Sequence, residues 1–370
     1  MANIKRIGIL TSGGDCAGLN AAIRAVVHRA IDTYGWEVYG ISRSTHGLLQ
    51  RPPQFQPLLR VQDDYDLLIK GGTILGTTNK GNPFAFPTAD GTLSDRSAEI
   101  IEGYHQLGLD ALIGIGGDGS LAILRRLAQQ GNINLVAIPK TIDNDLGSTE
   151  RAIGFDTAVN IATEAVDRLH FTAASHSRVM VLEVMGRDAG HIAISAGIAG
   201  GADIILIPEI QYSMEQICNH ITTLQERGKN YAIVIVAEAV CNENGEKIMH
   251  NLALSQCRLG GVGQYLADNI SARTEAETRV TVLGHVQRGG LPSPLDRLTA
   301  TVFGVAATDL IAEGRFDRMV SWQNRQVVDV PIESAIAHYQ AVDLDGTLVK
   351  TARAMGICLG EAVRVPVSVP

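Results

Sequence analysis

The stretch Ala111-Leu112-Ile113-Gly114-Ile115-Gly116-Gly117-Asp118-Gly119-Ser120 decides the class of fold. Its first five residues are an apolar run that reads as a buried strand, and Ser120 to Gln130 then carries apolar residues at helical spacing. Between them lies a glycine turn. Glycine there lets the backbone approach a ligand, and the following helix N-terminus offers free amides and a partial positive charge. That combination suits phosphate. A second copy stands near the start of the chain. Ile4 to Leu10 is a β-favouring run ending in Thr11-Ser12-Gly13-Gly14-Asp15, followed by a helical pattern from Leu19 to Tyr34 through Ile23, Val26, Val27, Ala30 and Ile31.

Outward from these two units the alternation continues. Strands are expected at Trp36 to Ile41, Leu135 to Ile138, Arg178 to Val184, Ile204 to Ile207, Ala232 to Val236 and Val280 to Leu283. Helices are expected at Ser97 to Leu107 and Phe155 to His170, and from Ser293 as N-cap through Pro294 to a close at Gly314. Alternating strands and helices imply an α/β protein with parallel sheets covered on both faces. Arg51 to Pro57 and Asn82 to Asp90, Pro-containing and without period, read as surface loops. The chain has 370 residues, which suggests two domains or one large α/β unit. Boundaries are expected near Gly154 and again between Val286 and Pro294.

Composition narrows the function. The 31 basic and 39 acidic residues leave a net charge of −8, the opposite of a nucleic-acid binder. Five scattered cysteines, none in a Cys-x-x-Cys pair, suggest neither a zinc knuckle nor a disulfide framework. The opening apolar run is too short for a signal peptide. The most apolar long stretch, Ile192 to Ile210, contains Asp203 and Glu209 and does not read as a membrane span. A cytoplasmic protein is expected.

In parallel α/β sheets ligands bind beyond the carboxyl ends of the strands. Four unusual loops fall there: Gly13 to Asp15, Gly116 to Ser120, Thr141-Ile142-Asp143-Asn144-Asp145, and Met185-Gly186-Arg187. Asp143 and Asp145 are two apart, so in extended chain both carboxylates face one side. Acids beside a phosphate repel it unless a cation bridges them, as Mg²⁺ does with one or two carboxylates and phosphate oxygens. The competing role for each aspartate is a helix cap or an Asx turn, with Asp145 the stronger case. Arg178, Arg187, Arg279 and Arg288, with His285 in the loop Gly284 to Gly290, supply the forked cations that a phosphorylated small molecule requires. His28, His46 and His105 show no metal spacing and are assigned structural or surface positions.

These motifs resemble the phosphofructokinases along nearly the whole chain: Gly8 to Asp15, Gly71-Gly72-Thr73, Gly116 to Ser120, Thr141 to Asp145, Met185 to Arg187, Pro208-Glu209 and Gly284 to Gly290. The resemblance implies two Rossmann-like domains with mainly parallel sheets covered by helices. Residues 1–154 plus 287–337 would take the phosphoryl donor, and residues 155–286 plus 338–370 the sugar phosphate. It implies transfer of a phosphoryl group, with Mg²⁺, to the 1-hydroxyl of fructose 6-phosphate in glycolysis. Carried over by position, Asp143 would accept the hydroxyl proton and Asp118 would hold the magnesium. Arg187, Thr141 and Lys140 would act at the transferred phosphoryl. Gly14, Lys80, Gly117, Gly119 and Ser120 would join Asp118 around the donor. Thr141, Asp143, Arg178, Met185, Gly186, Arg187, Glu238, Arg279, His285 and Arg288 would contact the sugar phosphate. Arg178 and Arg279 would do so in a neighbouring subunit, which implies a homodimer or homotetramer with shared sites.

Two residues divide on the donor. Family members with glycine at the position of Gly119 use ATP, and those with aspartate there use pyrophosphate. Lys140, where common bacterial ATP enzymes carry glycine, resembles the pyrophosphate users. ATP is expected, because an acid at residue 119 would repel it directly whereas a lysine at residue 140 need not. The alternative is a pyrophosphate-dependent enzyme on the same scaffold. Asn79 stands where many bacterial members have arginine, beside Lys80. Arg24 matches one arginine of the bacterial effector site, but His28 and His170 replace two others, so a weak or altered effector response is expected. A kinase acting on NAD or a lipid is disfavoured by the second-half arginines and Gly284 to Gly290. A catalytically dead binding subunit would lack the acceptor carboxylate, and Asp143 is present.

Overall fold

Strand Ala111–Gly116 is buried along all six residues, as an apolar run must be when helices cover both faces of a parallel sheet. The computed structural model describes residues 4–60, 64–88, 91–252 and 256–361. By internal contacts the chain divides into two units, Met1–Thr157 with Arg288–Gln340 and Ala158–Gln287 with Ala341–Pro370.

Among the described residues the first unit holds a seven-stranded sheet. Its order is Gln326–Pro331, Arg318–Gln323, Leu135–Pro139, Ala111–Gly116, Arg6–Thr11, Glu37–Ile41, Phe55–Leu58. The five inner strands are parallel and each edge strand runs antiparallel to its neighbour. Register sets Ile9 beside Ile113 and Gly114 beside Ala137. Helix Leu19–His28 packs on helix Pro294–Ala312. The contact is close because Gly304 is small: a Cβ there would lie 2.7 Å from the Ala22 carbonyl oxygen. As expected, Ser293 caps the second helix, accepting from the Asp296 amide at 3.1 Å with Pro294 in the first turn.

Several expectations need correction. Arg51 to Pro57 is not wholly loop, since Phe55–Leu58 is a strand, and Pro57 is tolerated because the strand lies at the sheet edge. Within Asn82 to Asp90, Phe86–Pro87 pairs with Leu93–Ser94, while residues 89 and 90 lie outside the described residues. The helix expected to run to Tyr34 stops being α at His28 and continues as a π turn over Arg29–Thr33. Asp309 anchors it, accepting from Arg29 Nε at 2.6 Å and from the Tyr34 hydroxyl at 2.8 Å. The helix expected over Ser120 to Gln130 begins at Asp118 and ends at Gly131. The helix starting at Phe155 extends past His170 to His176.

The second unit has a parallel four-stranded sheet in the order Thr278–Val282, Val179–Val184, Ala232–Ala237, Ile204–Leu206. The C-terminal segment covers one of its edges. Cys358 pairs with Ile204 and exchanges backbone hydrogen bonds of 2.9 Å with Asp203 and Ile205. Glu183, 3% exposed, accepts from the amides of Gly261 and Gly263 and so caps helix Val262–Thr274. Cys16, Cys218, Cys241 and Cys358 are free thiols, and the side chain of Cys257 lies outside the described residues. Among the described residues no helix is long and apolar enough to cross a membrane.

Candidate active site

In the first unit three neighbouring parallel strands deliver three of the expected loops to one edge of the sheet. Arg6–Thr11 leads into Gly13 to Asp15, Ala111–Gly116 into Gly117 to Ser120, and Leu135–Pro139 into Lys140 to Asp145. Backbone bonds tie the loops at their roots: the Ser12 amide to the Ile115 oxygen at 2.9 Å, and the Lys140 amide to the Gly116 oxygen at 3.0 Å. Helix Asp118–Gly131 starts at Gly117 without a hydrogen bond from a capping side chain, the kind of terminus whose first-turn amides suit an anion. Asp118 is half-buried and Gly119 is exposed.

Lys140 is the structural centre of this half. Its side chain is buried, and Nζ donates to the Gly14 carbonyl oxygen at 2.6 Å. Burial holds the ammonium below the ordinary lysine range; nearby Arg288 pushes the same way, and Cys16, Asp143 and Asp15 oppose. A Cβ on Gly13 would meet Ser120 Oγ at 2.9 Å and Lys140 Nζ at 3.3 Å, so both side chains converge on that glycine. A Cβ on Gly14 would meet the Arg288 guanidinium at 2.7 Å, and Arg288 also donates to the Asp15 oxygen at 3.2 Å. Arg288 thus joins the first unit's loops. Cys16 beneath them is inert, its thiol pushed up to about 12 by burial.

The Thr141 to Asp145 loop is self-bracing. Thr141 Oγ1 donates to Asp145 Oδ1 at 2.9 Å and accepts from the Asp143 amide at 3.0 Å. Asp145 is thus tied to Thr141 by a side-chain bond, while the turn itself is closed by Thr141 on the Asp143 amide. Asp143 is 3% exposed, and Asn144 holds a left-handed φ of 52° that fixes the bend. Lys80 lies exposed, its amide donating to Thr78 Oγ1.

Sequence reasoning missed Asn20. It is fully buried on an otherwise apolar helix face, donates to the Lys70 and Gly71 oxygens, and accepts from the Ile74 amide at 2.8 Å. It clamps the Gly71 to Thr73 segment, where a Cβ on Gly71 would come within 2.3 Å of the Gly290 oxygen. A polar residue among Leu19, Ala21, Ala22 and Ile23 was the available signal.

The second unit repeats the design. The carboxyl ends of Val179–Val184 and its two neighbours present Met185 to Asp188, Glu238, and the short 3₁₀ turn Gly284–Arg288. Glu238 Oε1 accepts from the Arg187 amide at 3.1 Å, and Gln287 Oε1 accepts from the Met185 amide at 2.7 Å. Arg187 and His285 are exposed. Arg178 and Arg279 are elsewhere. Both sit at the amino ends of their strands, in register Thr278 with Val179, roughly 20 Å of extended chain from Met185. There they share Glu277, which pairs with Arg178 at 3.0 Å and with Arg279. The bond from Arg178 holds the Glu277 carboxyl below its usual range. Glu209 Oε1 accepts from the amides of Gly190 and Val342 and so braces helix His191–Ala199.

Comparison with known proteins gives the context. Residues 6–311 match the phosphofructokinase family model. The chain belongs to the phosphofructokinase family. It is similar to "ATP-dependent 6-phosphofructokinase 1" of Synechocystis sp., with 69% identity over 360 residues, 97% of this chain and 99% of that one. It is 70% identical over 361 residues to the protein of the same name from Nostoc sp., covering 98% of this chain and all of that one. The crystal structure of a pyrophosphate-dependent phosphofructokinase from Nitrosospira multiformis superposes with a TM-score of 0.80 at 20% identity, covering 97% and 93% of the two chains. That likeness speaks for the fold alone. Phosphofructokinase membership and the α/β architecture both agree with the expectations from sequence.

Proposed function

We propose that this phosphofructokinase transfers a phosphoryl group from ATP to the 1-hydroxyl of fructose 6-phosphate, giving fructose 1,6-bisphosphate in glycolysis. The observation that carries this is the convergence of three strand-end loops in the first unit, with Gly119 open, in a chain about 70% identical to ATP-dependent enzymes. A Cβ at residue 119 would meet no heavy atom within 4 Å other than its own chain neighbours, and Gly119 itself adds no acid beside Asp118 at the helix N-terminus. The pyrophosphate alternative rests on Lys140, and that residue has a structural task on the Gly14 oxygen.

The first unit is the donor-binding domain in this proposal and the second the sugar-phosphate domain. Amides of Gly117, Gly119 and Ser120, with the Gly13 to Asp15 loop and Lys80, hold the polyphosphate. Among the described residues no group of three His, Cys, Asp or Glu side chains could hold a metal by itself. That suits Mg²⁺, which keeps waters and is bound by one or two carboxylates plus phosphate oxygens. Asp118, at the uncapped helix start, is the carboxylate placed for it, and the ion would neutralise phosphate charge. Phosphoryl transfer passes through a loose transition state, so placement and charge neutralisation supply most of the acceleration. Asp143 takes the hydroxyl proton, and Thr141, Lys140 and Arg187 act on the transferred phosphoryl. Met185, Gly186, Glu238, His285 and Arg288 contact the sugar phosphate.

Arg178 and Arg279 lie too far along their strands to serve the same sheet end as Arg187, which supports their use in a partner subunit of a homodimer or homotetramer. The setting proposed is the cytoplasm. The test is initial-rate assay of the purified chain with fructose 6-phosphate and either ATP or pyrophosphate, the product identified by phosphorus NMR. Turnover with pyrophosphate and none with ATP would overturn the donor, and no turnover with either would overturn the reaction.

A further inference from the structure

The turn Met185 to Asp188 is held in an unfavourable backbone shape. Gly186 has φ 153°, and a Cβ on it would lie 2.4 Å from the Ala189 oxygen. Arg187 has φ 49°, the left-handed region that a long side chain rarely adopts. Such a conformation persists only where the surroundings impose it. The Arg187 side chain is exposed, and its backbone conformation sets the direction in which it leaves the turn.

Gln287 is the buried side chain that reaches this turn from 102 residues away. It is 1% exposed and its Oε1 accepts from the Met185 amide at 2.7 Å. Only the oxygen of a carboxamide can accept, which fixes the orientation of the group and turns Nε2 the other way. Nε2 there is buried without a hydrogen-bond partner. An unsatisfied buried donor costs free energy that an apolar side chain of similar shape would avoid. Packing alone therefore does not account for glutamine at this position, whereas the bond to Met185 does.

We infer that Gln287 is a positioning residue: it fixes the start of the Met185 to Asp188 turn and through it the direction from which Arg187 meets the transferred group. The inference rests on the functional proposal above for the part played by Arg187, and on geometry alone for the tether.

Gln287→Leu removes both the tether and the orphaned donor. The expected result is faster hydrogen exchange at the Met185 amide, by at least ~10-fold, because its bond is lost. Alongside it kcat should fall ~10-fold to ~100-fold while the KM for ATP stays within about twofold, as misplacement of a positioned group does. The melting midpoint should hold or rise. Gln287→Glu, which restores an acceptor, should return kcat to within about threefold of wild type. A purely structural glutamine would give the reverse pattern, a lower melting midpoint with unchanged kcat, and that would overturn the inference, as would wild-type Met185 exchange in Gln287→Leu. If the leucine variant does not fold, Gln287→Met is read by the same measurements. A wild-type chain inert toward fructose 6-phosphate and ATP sinks the functional proposal instead; the exchange result then decides the tether by itself.

Discussion

Lys140 and Gly14, 126 residues apart, are joined by a bond of 2.6 Å from a buried ammonium to a backbone oxygen. The bond makes the lysine a strut for the first glycine loop, and its depth makes it a weaker base than an exposed lysine. In the folded chain the proton is held less tightly than in the unfolded chain, whose lysine titrates near 10.5. Between the lowered folded value and 10.5 the unfolded state binds more protons, so stability rises with pH across that window. Activity should run the other way. As pH rises through the folded value the ammonium is lost and the donor loses a cation. We predict that kcat/KM for ATP declines on the alkaline side earlier than an ordinary lysine would produce, and that Lys140→Ala removes this limb while lowering the plateau. A limb unchanged in Lys140→Ala would assign it to another group.

Gly119 offers a cleaner test of the donor. Its position is exposed and an added Cβ meets no atom, so Gly119→Asp should fold with the wild-type melting midpoint. The new carboxylate would stand at the helix N-terminus where the nucleotide phosphates are proposed to lie. We expect kcat/KM for ATP to fall by ~10²-fold or more, from like-charge repulsion against the nucleotide phosphates, with little change for pyrophosphate. Undiminished use of ATP by this variant would refute the donor argument.

The alternation of strands and helices, and the Gly-Gly-Asp turns after Arg6–Thr11 and Ala111–Gly116, were legible because each is written in consecutive residues. So was the side of the sheet where the expected loops gather, since parallel strands put all their carboxyl ends together. Phe55–Leu58 was hidden by Pro57, which is allowed only because the strand lies at an edge, and edge position is a property of the assembled sheet. Asn20, Glu277 and Gln287 were hidden for a related reason. Glu277 looks like any surface acid until strand register brings Arg178 beside it. Gln287 has no local signature, because its partner amide is on another strand end.

A weak effector response is expected because His28 and His170 replace two arginines beside Arg24, and Asp64 gives a second argument for it. It accepts from Arg24 Nε at 2.8 Å and pairs with His28, and Arg60 lies 3.8 Å away. Burial pushes the Asp64 carboxyl up, but its bonds to His28 and Arg24 outweigh that and hold it below the usual range. The carboxylate therefore stays charged at neutral pH and already occupies the cations an effector would need. Steady-state kinetics should show weak inhibition by phosphoenolpyruvate, and Asp64→Asn should strengthen it several-fold by freeing Arg24. Strong inhibition of the wild type, unaltered in Asp64→Asn, would contradict this.

The separation of Arg178 and Arg279 from Arg187 along the strands leads to a prediction about subunits. Asp143→Ser should lower kcat by at least ~10²-fold with modest change in KM, as loss of a general base does. Arg178→Ala should mainly raise the KM for fructose 6-phosphate, since it removes a cation from the sugar phosphate without touching the hydroxyl. If one chain's Arg178 completes its partner's site, the two defects lie in different copies of a mixed oligomer's site. Some mixed sites then receive both an intact Asp143 and an intact Arg178. Co-unfolding and refolding the two variants together should recover activity at low fructose 6-phosphate, where each alone is impaired, well above the sum of the separate preparations. A site built within one chain cannot gain from mixing, because every chain then carries its own defect. Recovery no greater than the sum would place both residues in one chain's site, and the roughly 20 Å of strand between Arg178 and Met185 would then have no functional consequence.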